Sequence, residues 1–149
     1  MGSGITHTEV LLSERGPVIV EVNARLGGDL IPYLGKLATG LDPARVAVDL
    51  ATGTRPAMEP TSNRCVGIRF GYPPQDCLVR AVSMPAPGRA DGLLEATAMV
   101  SPGTELLLPP RAHLGRYGYV ICEADDAGTC AARIDAAIEL AALDWVAVG

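Results

Sequence analysis

The sequence predicts a mixed α/β chain of the α+β kind. An antiparallel hairpin is followed by two helices and a linker, then by a small β-rich lobe closed by a C-terminal helix. Three observations predict it. Two valine-rich runs flank a Gly-Pro turn near the N-terminus. Two stretches of helical period with capping residues come next. Beyond a proline-rich segment the apolar period drops to two, and it becomes helical again only near the end.

Residues 5–13 and 17–23 read as the strands of the hairpin, around the turn Glu14-Arg15-Gly16-Pro17. Gly16 supplies the positive φ, and Pro17 opens a strand, where its missing N–H is tolerated. Simple alternation puts Thr6, Thr8, Val10 and Leu12 on one face, and Ile5, His7, Glu9 and Leu11 on the other. In the second strand it sets Val18, Val20 and Val22 against Ile19, Glu21 and Asn23. Asp29 is placed to cap a helix running to about Thr39, with Pro32 in its first turn, Gly40 past its end and an apolar stripe of Leu30, Leu34 and Leu37. Asp42-Pro43 then reads as an N-cap with proline at the first helical position. That helix carries Val46 and Leu50 on one face and stops at Gly53.

"TRPAMEPTSN", residues 54–63, has the composition of a linker. The organisation expected is therefore a first segment over 1–54, a linker over 55–63 and a lobe over 64–149. In the lobe, "RCVGIRFGY" alternates Val66, Ile68 and Phe70 against Gly67, Arg69 and Gly71. Further strands are expected near 78–84, 93–100, 104–108 and 116–123, separated by Pro/Gly turns. Thr129 is placed to cap a last helix from Cys130 to about Val146, with the stripe Ile134, Ile138, Ala141 and Trp145 at helical spacing.

Composition narrows the class. The 149 residues are 48% hydrophobic and 19% charged, which suits one globular domain or two small lobes. With aromatics at 4%, the core must come from Ala, Val, Leu and Ile. A net charge of −5 with a single lysine, Lys36, argues against nucleic-acid binding through a broad basic face. No apolar run approaches the roughly 18 residues of a membrane span, and the N-terminus lacks a signal-peptide pattern. Cys65, Cys77, Cys122 and Cys130 form no C-x-x-C pair, and with only His7 and His113 beside them a zinc site is poorly supported. Reduced structural thiols in a cytoplasmic protein are expected.

The chemistry concentrates on the hairpin. A register set by the turn pairs residues whose numbers sum to about 30 or 31, so Glu9 and Glu21 face each other. Two carboxylates in that position repel unless a positive charge lies between them. A hard divalent cation, Mg2+ or Mn2+, resolves the conflict, and Asn23 adds a third oxygen on the same face. Arg25 follows with a fork suited to a phosphate or carboxylate. Gly27-Gly28 lets backbone approach a ligand, just before a helix N-terminus. The plain alternative is a solvated polar face with a tight strand-to-helix turn. His7 shares the face of Glu9, as a possible accessory ligand or a hydrogen-bonding neighbour. His113, Arg111 and Arg116 lie in the loop "PPRAHLGR" and read as exposed, with the two arginines able to support an anion.

"GITHTEVLLSERGPVIVEVNARLGGDLIPYLGKLATGLD" resembles the C-terminal catalytic segment of ATP-grasp ligases, in the carboxylate–amine branch that includes the L-amino acid ligases. Its core, G-x-x-H-T-E followed by G-P-x-x-x-E-x-N-x-R-x-G-G-D, is long and specific, and the likeness spans residues 4–53. "RYGYVICEADDAGTCAARIDAAI" is a weaker match to the lobe that follows in those enzymes. The resemblance implies that Glu9, Glu21 and Asn23 hold Mg2+ bridging ATP phosphates, and that Arg25 contacts the γ-phosphate or the acyl phosphate. It also implies that Gly27 and Gly28 shape the loop for the substrate carboxylate. The implied substrates are a small carboxylate and an amine.

The resemblance also implies an upstream lobe with lysines and a Gly-rich loop, and an N-terminal domain before it, neither of which the sequence contains. The first strand, which pairs with upstream strands in that family, is expected to offer an open apolar edge. A homodimer or an N-terminal ATP-grasp partner chain is the expected consequence, with ATP binding dependent on the complementing lobe. Two other readings stand beside the ligase: a non-catalytic binding module that keeps the fold, and an enzyme that reuses the metal face for other small-molecule chemistry.

Overall fold

A two-residue turn, Glu14-Arg15, sets the hairpin. The strands are β1, His7–Ser13, and β2, Gly16–Asn23. Gly16, at φ 105°, is therefore the first strand residue rather than part of the turn. The Ser13 hydroxyl bridges the corner, donating to the Gly16 carbonyl at 2.8 Å and accepting the Arg15 N–H at 3.3 Å. The structure is a computed structural model describing residues 4–148.

The register contains a β-bulge that plain alternation misses. Near the turn, Val10 pairs with Ile19 and Leu11 with Val18; past the shift, Glu9 pairs with Glu21 and His7 with Asn23. Val20 is the extra residue. It puts Ile19 on the face of Val10 and Val22, not on that of Glu21 and Asn23 as strict period two predicts. A straight continuation from the turn would have set Glu9 across from Val20, so the bulge brings the two carboxylates face to face. Bulges commonly re-aim a side chain in this way beside functional sites.

Helix α1 is Ile31–Thr39 and α2 is Pro43–Ala51. The N-cap falls at Leu30, one residue after the expected Asp29. Asp29 and Leu30 both lie in the left-handed region (φ 51° and 62°), and Leu30 occupies the N-cap position with no side-chain cap. The backbone closes the turn instead, with Ile31 N–H donating to the Gly28 carbonyl at 2.9 Å. Asp42 does cap α2. Its Oδ1 accepts from Ala44 N and Arg45 N at 3.0 and 3.3 Å, while Oδ2 takes Lys36 Nζ at 2.7 Å. One carboxylate thus starts α2 and ties it to α1. The proline-rich segment is anchored as well, since Thr61 and Ser62 N–H groups donate to the Thr39 carbonyl.

The chain divides into two compact units at Asn63/Arg64. No described residue of the first unit is buried. The second unit holds the core. One antiparallel sheet has the order β3 (Cys65–Gly71), β7 (Gly118–Ala124), β5 (Leu93–Ala98). Helix α3, Ala127–Glu139, covers it and packs Cys130, Ile134 and Ala137 against Leu93, Val120 and Cys122. The other sheet has the order β6 (Glu105–Leu106), β4 (Cys77–Ser83), β8 (Ala142–Ala147). It builds a cluster of Cys77, Val79 and Leu106 with Tyr117.

The last element differs from expectation. The cap of α3 is Asp126, whose side chain accepts from Thr129 N at 2.9 Å, and the helix ends at Glu139. Residues 142–147 form β8, pairing Val79 with Trp145 and Val82 with Leu143. Leu143 and Trp145 pack toward the second cluster while Ala142 and Asp144 stay exposed. Ala141 and Trp145 continue a helical spacing from Ile138 by coincidence. The period-two pattern of "ALDWVA" prevails because β4 needs an edge partner.

Candidate functional site at the hairpin face

Opposite residues of an antiparallel pair share a face, so the register gathers His7, Glu9, Glu21 and Asn23 on one side of the hairpin. Within the quartet, His7 Nε2 lies 3.3 Å from Glu9 Oε1, and Asn23 Nδ2 donates to Glu21 Oε1 at 2.6 Å. Each carboxylate therefore has a polar neighbour on its own strand and a second carboxylate across from it. The Glu9 side chain is 52% exposed and that of His7 only 18%, so the carboxylates are open to a ligand while the imidazole is tucked behind them. The other face carries Val10, Leu12, Ile19 and Val22, all exposed.

Gly27 is held close to this group. A Cβ there would stand 2.8 Å from His7 Nδ1, so the loop passes against the imidazole only because residue 27 has no side chain. The sequence points Gly27 toward a ligand, while the fold also sets it against His7. Nothing in the local sequence signals that contact, because only the pairing of His7 with Asn23 brings positions 7 and 27 together. No described atom crowds Gly28. Arg25 is exposed, and its Nη1 donates to the Leu26 carbonyl at 2.9 Å. Among the described residues it forms no ion pair, so the outer edge of its fork is open.

The donor set suits a particular kind of cation. Among the described residues no three His, Cys, Asp or Glu side chains are gathered closely enough to cage a metal. The face supplies two carboxylates and an amide, all oxygen donors. Mg2+ is typically held by one or two carboxylates, with substrate phosphates and water completing its shell, rather than by an all-protein cage. The residues present fit that pattern and not a structural zinc site.

Other candidates have local partners. Arg111 pairs with Asp76 at 2.7 Å. The Arg116 guanidinium stacks 3.8 Å from the Phe70 ring centre and donates to the Tyr72 hydroxyl at 3.0 Å. His113 is exposed. All four cysteines are free thiols. Burial pushes those of Cys77, Cys122 and Cys130 above their ordinary value, which keeps them protonated, poor nucleophiles and poor metal ligands. No helix among the described residues is long and apolar enough to cross a membrane.

Comparison with known proteins bears on the fold. An uncharacterized protein, y4rH of Sinorhizobium fredii, is 28% identical over 97% of the chain, which spans 30% of that protein. The L-amino acid ligase of Bacillus licheniformis superposes with a TM-score of 0.75 at 18% identity, over 97% of this chain and 36% of its own. Phosphoribosylglycinamide synthetase of Anaerococcus prevotii gives 0.76 at 14% identity, over 93% of this chain and 36% of its own. The biotin carboxylase domain of Hydrogenobacter thermophilus 2-oxoglutarate carboxylase, solved with MgADP and bicarbonate, gives 0.63 at 18% identity, over 95% of this chain and 32% of its own. The shared fold is that of part of an ATP-grasp enzyme, and the chain spans about a third of each relative. Residues 69–145, more than half of the chain, match the L-amino acid ligase C-terminal domain 2, and the chain belongs to that family.

Proposed function

We propose that this chain is the metal-bearing part of an ATP-dependent carboxylate–amine ligase acting through an acyl phosphate. The observation that carries the reading is the Glu9–Glu21 pair, set face to face by the bulge, with Asn23 beside it. A bound Mg2+ would neutralise ATP phosphates there, and the residues to hold it are Glu9, Glu21 and Asn23. Arg25 would grip the γ-phosphate, or the acyl phosphate it becomes, as a planar fork. Gly28 and the turn after it would receive the substrate carboxylate at exposed backbone.

The chemistry asks little covalent work of these residues. A carboxylate oxygen attacks the γ-phosphorus and ADP leaves. An amine then attacks the acyl carbon, inorganic phosphate departs and the nitrogen loses a proton, giving an amide. Positioning and charge neutralisation provide most of the catalysis in phosphoryl transfer, and an oxygen-lined face with one arginine supplies both. The apolar face of the same hairpin, Val10, Leu12, Ile19 and Val22, would be covered by the lobe that contributes the adenine and lysine half, or by a second copy of the chain.

The reading is tested by measuring ADP release from MgATP with mixed L-amino acids, using the chain alone and then with the upstream ATP-grasp lobe added in trans. Turnover is expected only in the mixture, and Glu21→Gln should lower it by at least a hundredfold, of the order found for removing one preorganised charge-stabilising group. Full turnover with Glu21→Gln would overturn the assignment. A polar solvated face alone does not account for a bulge that forces two carboxylates together.

A further inference from the structure

The second unit carries a charged cavity that the hairpin chemistry does not use. About 540 Å3 in volume, it is lined by Arg89 and Asp91 from the loop before β5 and by Thr129, Ala132, Arg133 and Ala136 of α3. That is within the range of small-molecule sites, roughly 300–1,000 Å3. Its floor is the outward side of α3, where Ala132 and Ala136 are exposed while Ile134 and Ala137 face the core.

Arg133 is fixed in place. Its Nη1 donates to the Glu123 carbonyl at 2.8 Å. Gly92, at φ 66°, lies beneath it, and a Cβ there would stand 2.8 Å from Arg133 Cδ. That Cβ would meet the Glu123 carbonyl oxygen sooner still, so the glycine serves first the close approach of this turn to β7, whose Glu123 N–H donates to the Gly92 carbonyl at 2.9 Å. Arg89 stands across the cavity on an exposed loop. Among the described residues Arg89, Arg133 and Asp91 form no ion pair. Two arginines and one aspartate therefore line the cavity, beside small apolar residues, without pairing with one another.

We propose that this cavity binds a small zwitterion of the α-amino-acid kind with an apolar side chain. Its carboxylate sits between Arg89 and Arg133, its ammonium faces Asp91, and its side chain lies on Ala132, Ala136 and Leu140, the residue just past α3 that also lines the cavity. The charges choose the ligand. A simple anion would pair with the arginines but be repelled by Asp91. A simple amine would meet two like charges. A neutral apolar molecule would leave all three groups desolvated and unpaired. Arginine's planar fork favours a carboxylate over a single point contact.

Backbone amide NMR of the full chain tests this with three probes: L-leucine, 4-methylpentanoate and isopentylamine. Leucine should shift the Ala132, Arg133 and Ala136 amides saturably, and each half-ligand should bind at least tenfold more weakly. Arg89→Ala, on an exposed loop, should weaken leucine at least tenfold, and Ala136→Phe should abolish binding by filling the floor. Glu21→Gln should leave binding unchanged, which separates this site from the hairpin. Absence of saturable shifts up to about 20 mM leucine, a range reaching well past millimolar affinity, would overturn the proposal. Equal binding of 4-methylpentanoate, or undiminished binding by Arg89→Ala, would overturn it too.

Discussion

A methyl group at residue 27 would stand 2.8 Å from Nδ1 of His7, closer than unstrained heavy atoms approach. Gly27→Ala must therefore push the imidazole aside and disturb its 3.3 Å contact with Glu9. Overpacking at a partly buried ring costs about 1 kcal/mol, which would appear as roughly fivefold faster amide exchange in β1. In His7→Ala the same substitution should cost almost nothing, because the ring it strikes is gone. Equal exchange rates in Gly27→Ala and the parent would show that the loop does not rest on His7. At this scale the sequence was readable in type and partly silent in cause. Glu9, Glu21 and Asn23 stand out as candidates by residue type and spacing. The contact of Gly27 with His7 arises only through strand pairing.

Asp42 and Asp126 begin helices α2 and α3 by the same device, a carboxylate accepting backbone N–H groups of the first turn. The side chain and backbone of Thr129 hold the Asp126 carboxyl below its ordinary value. A carboxyl depressed in the folded state stabilises that state above the unfolded-state value, near 4, and loses the contribution as pH falls through the folded one. Asparagine caps about as well but does not titrate there. The thermal midpoint, followed by Trp145 fluorescence, should therefore favour the parent over Asp126→Asn at pH 6, with the gap closing below about pH 4. Parallel curves would contradict this account of the cap. Element boundaries were legible where a cap or glycine marks them, as at Asp42 and Gly40. They were not legible at Leu30, whose left-handed backbone the residue type disfavours, nor at 142–147, where strand pairing overrides an apparent helical stripe. The bulge at Val20 also escapes a period-two reading, although the pairing of Glu9 with Glu21 does not.

Across the whole molecule, the two units bury very different amounts of themselves. The second unit encloses fully buried side chains such as Val120, Ile121 and Cys122, while no described residue of the first is buried. Leu12 is 82% and Ile19 64% exposed, on a two-stranded sheet of a kind marginal in water by itself. Such a face drives association. Sedimentation velocity at tens of micromolar, a range where modest apolar contacts become populated, should show self-association that Val10→Lys with Ile19→Lys removes. A strict monomer would count against that surface. The opposite face carries the central claim, that Glu9, Glu21 and Asn23 form one wall of a magnesium–phosphate site. Calorimetric titration of the chain with Mn2+ tests it most directly. The account predicts one saturable binding event, lost in both Glu9→Gln and Glu21→Gln. The same heat of binding in the parent and both variants would contradict it.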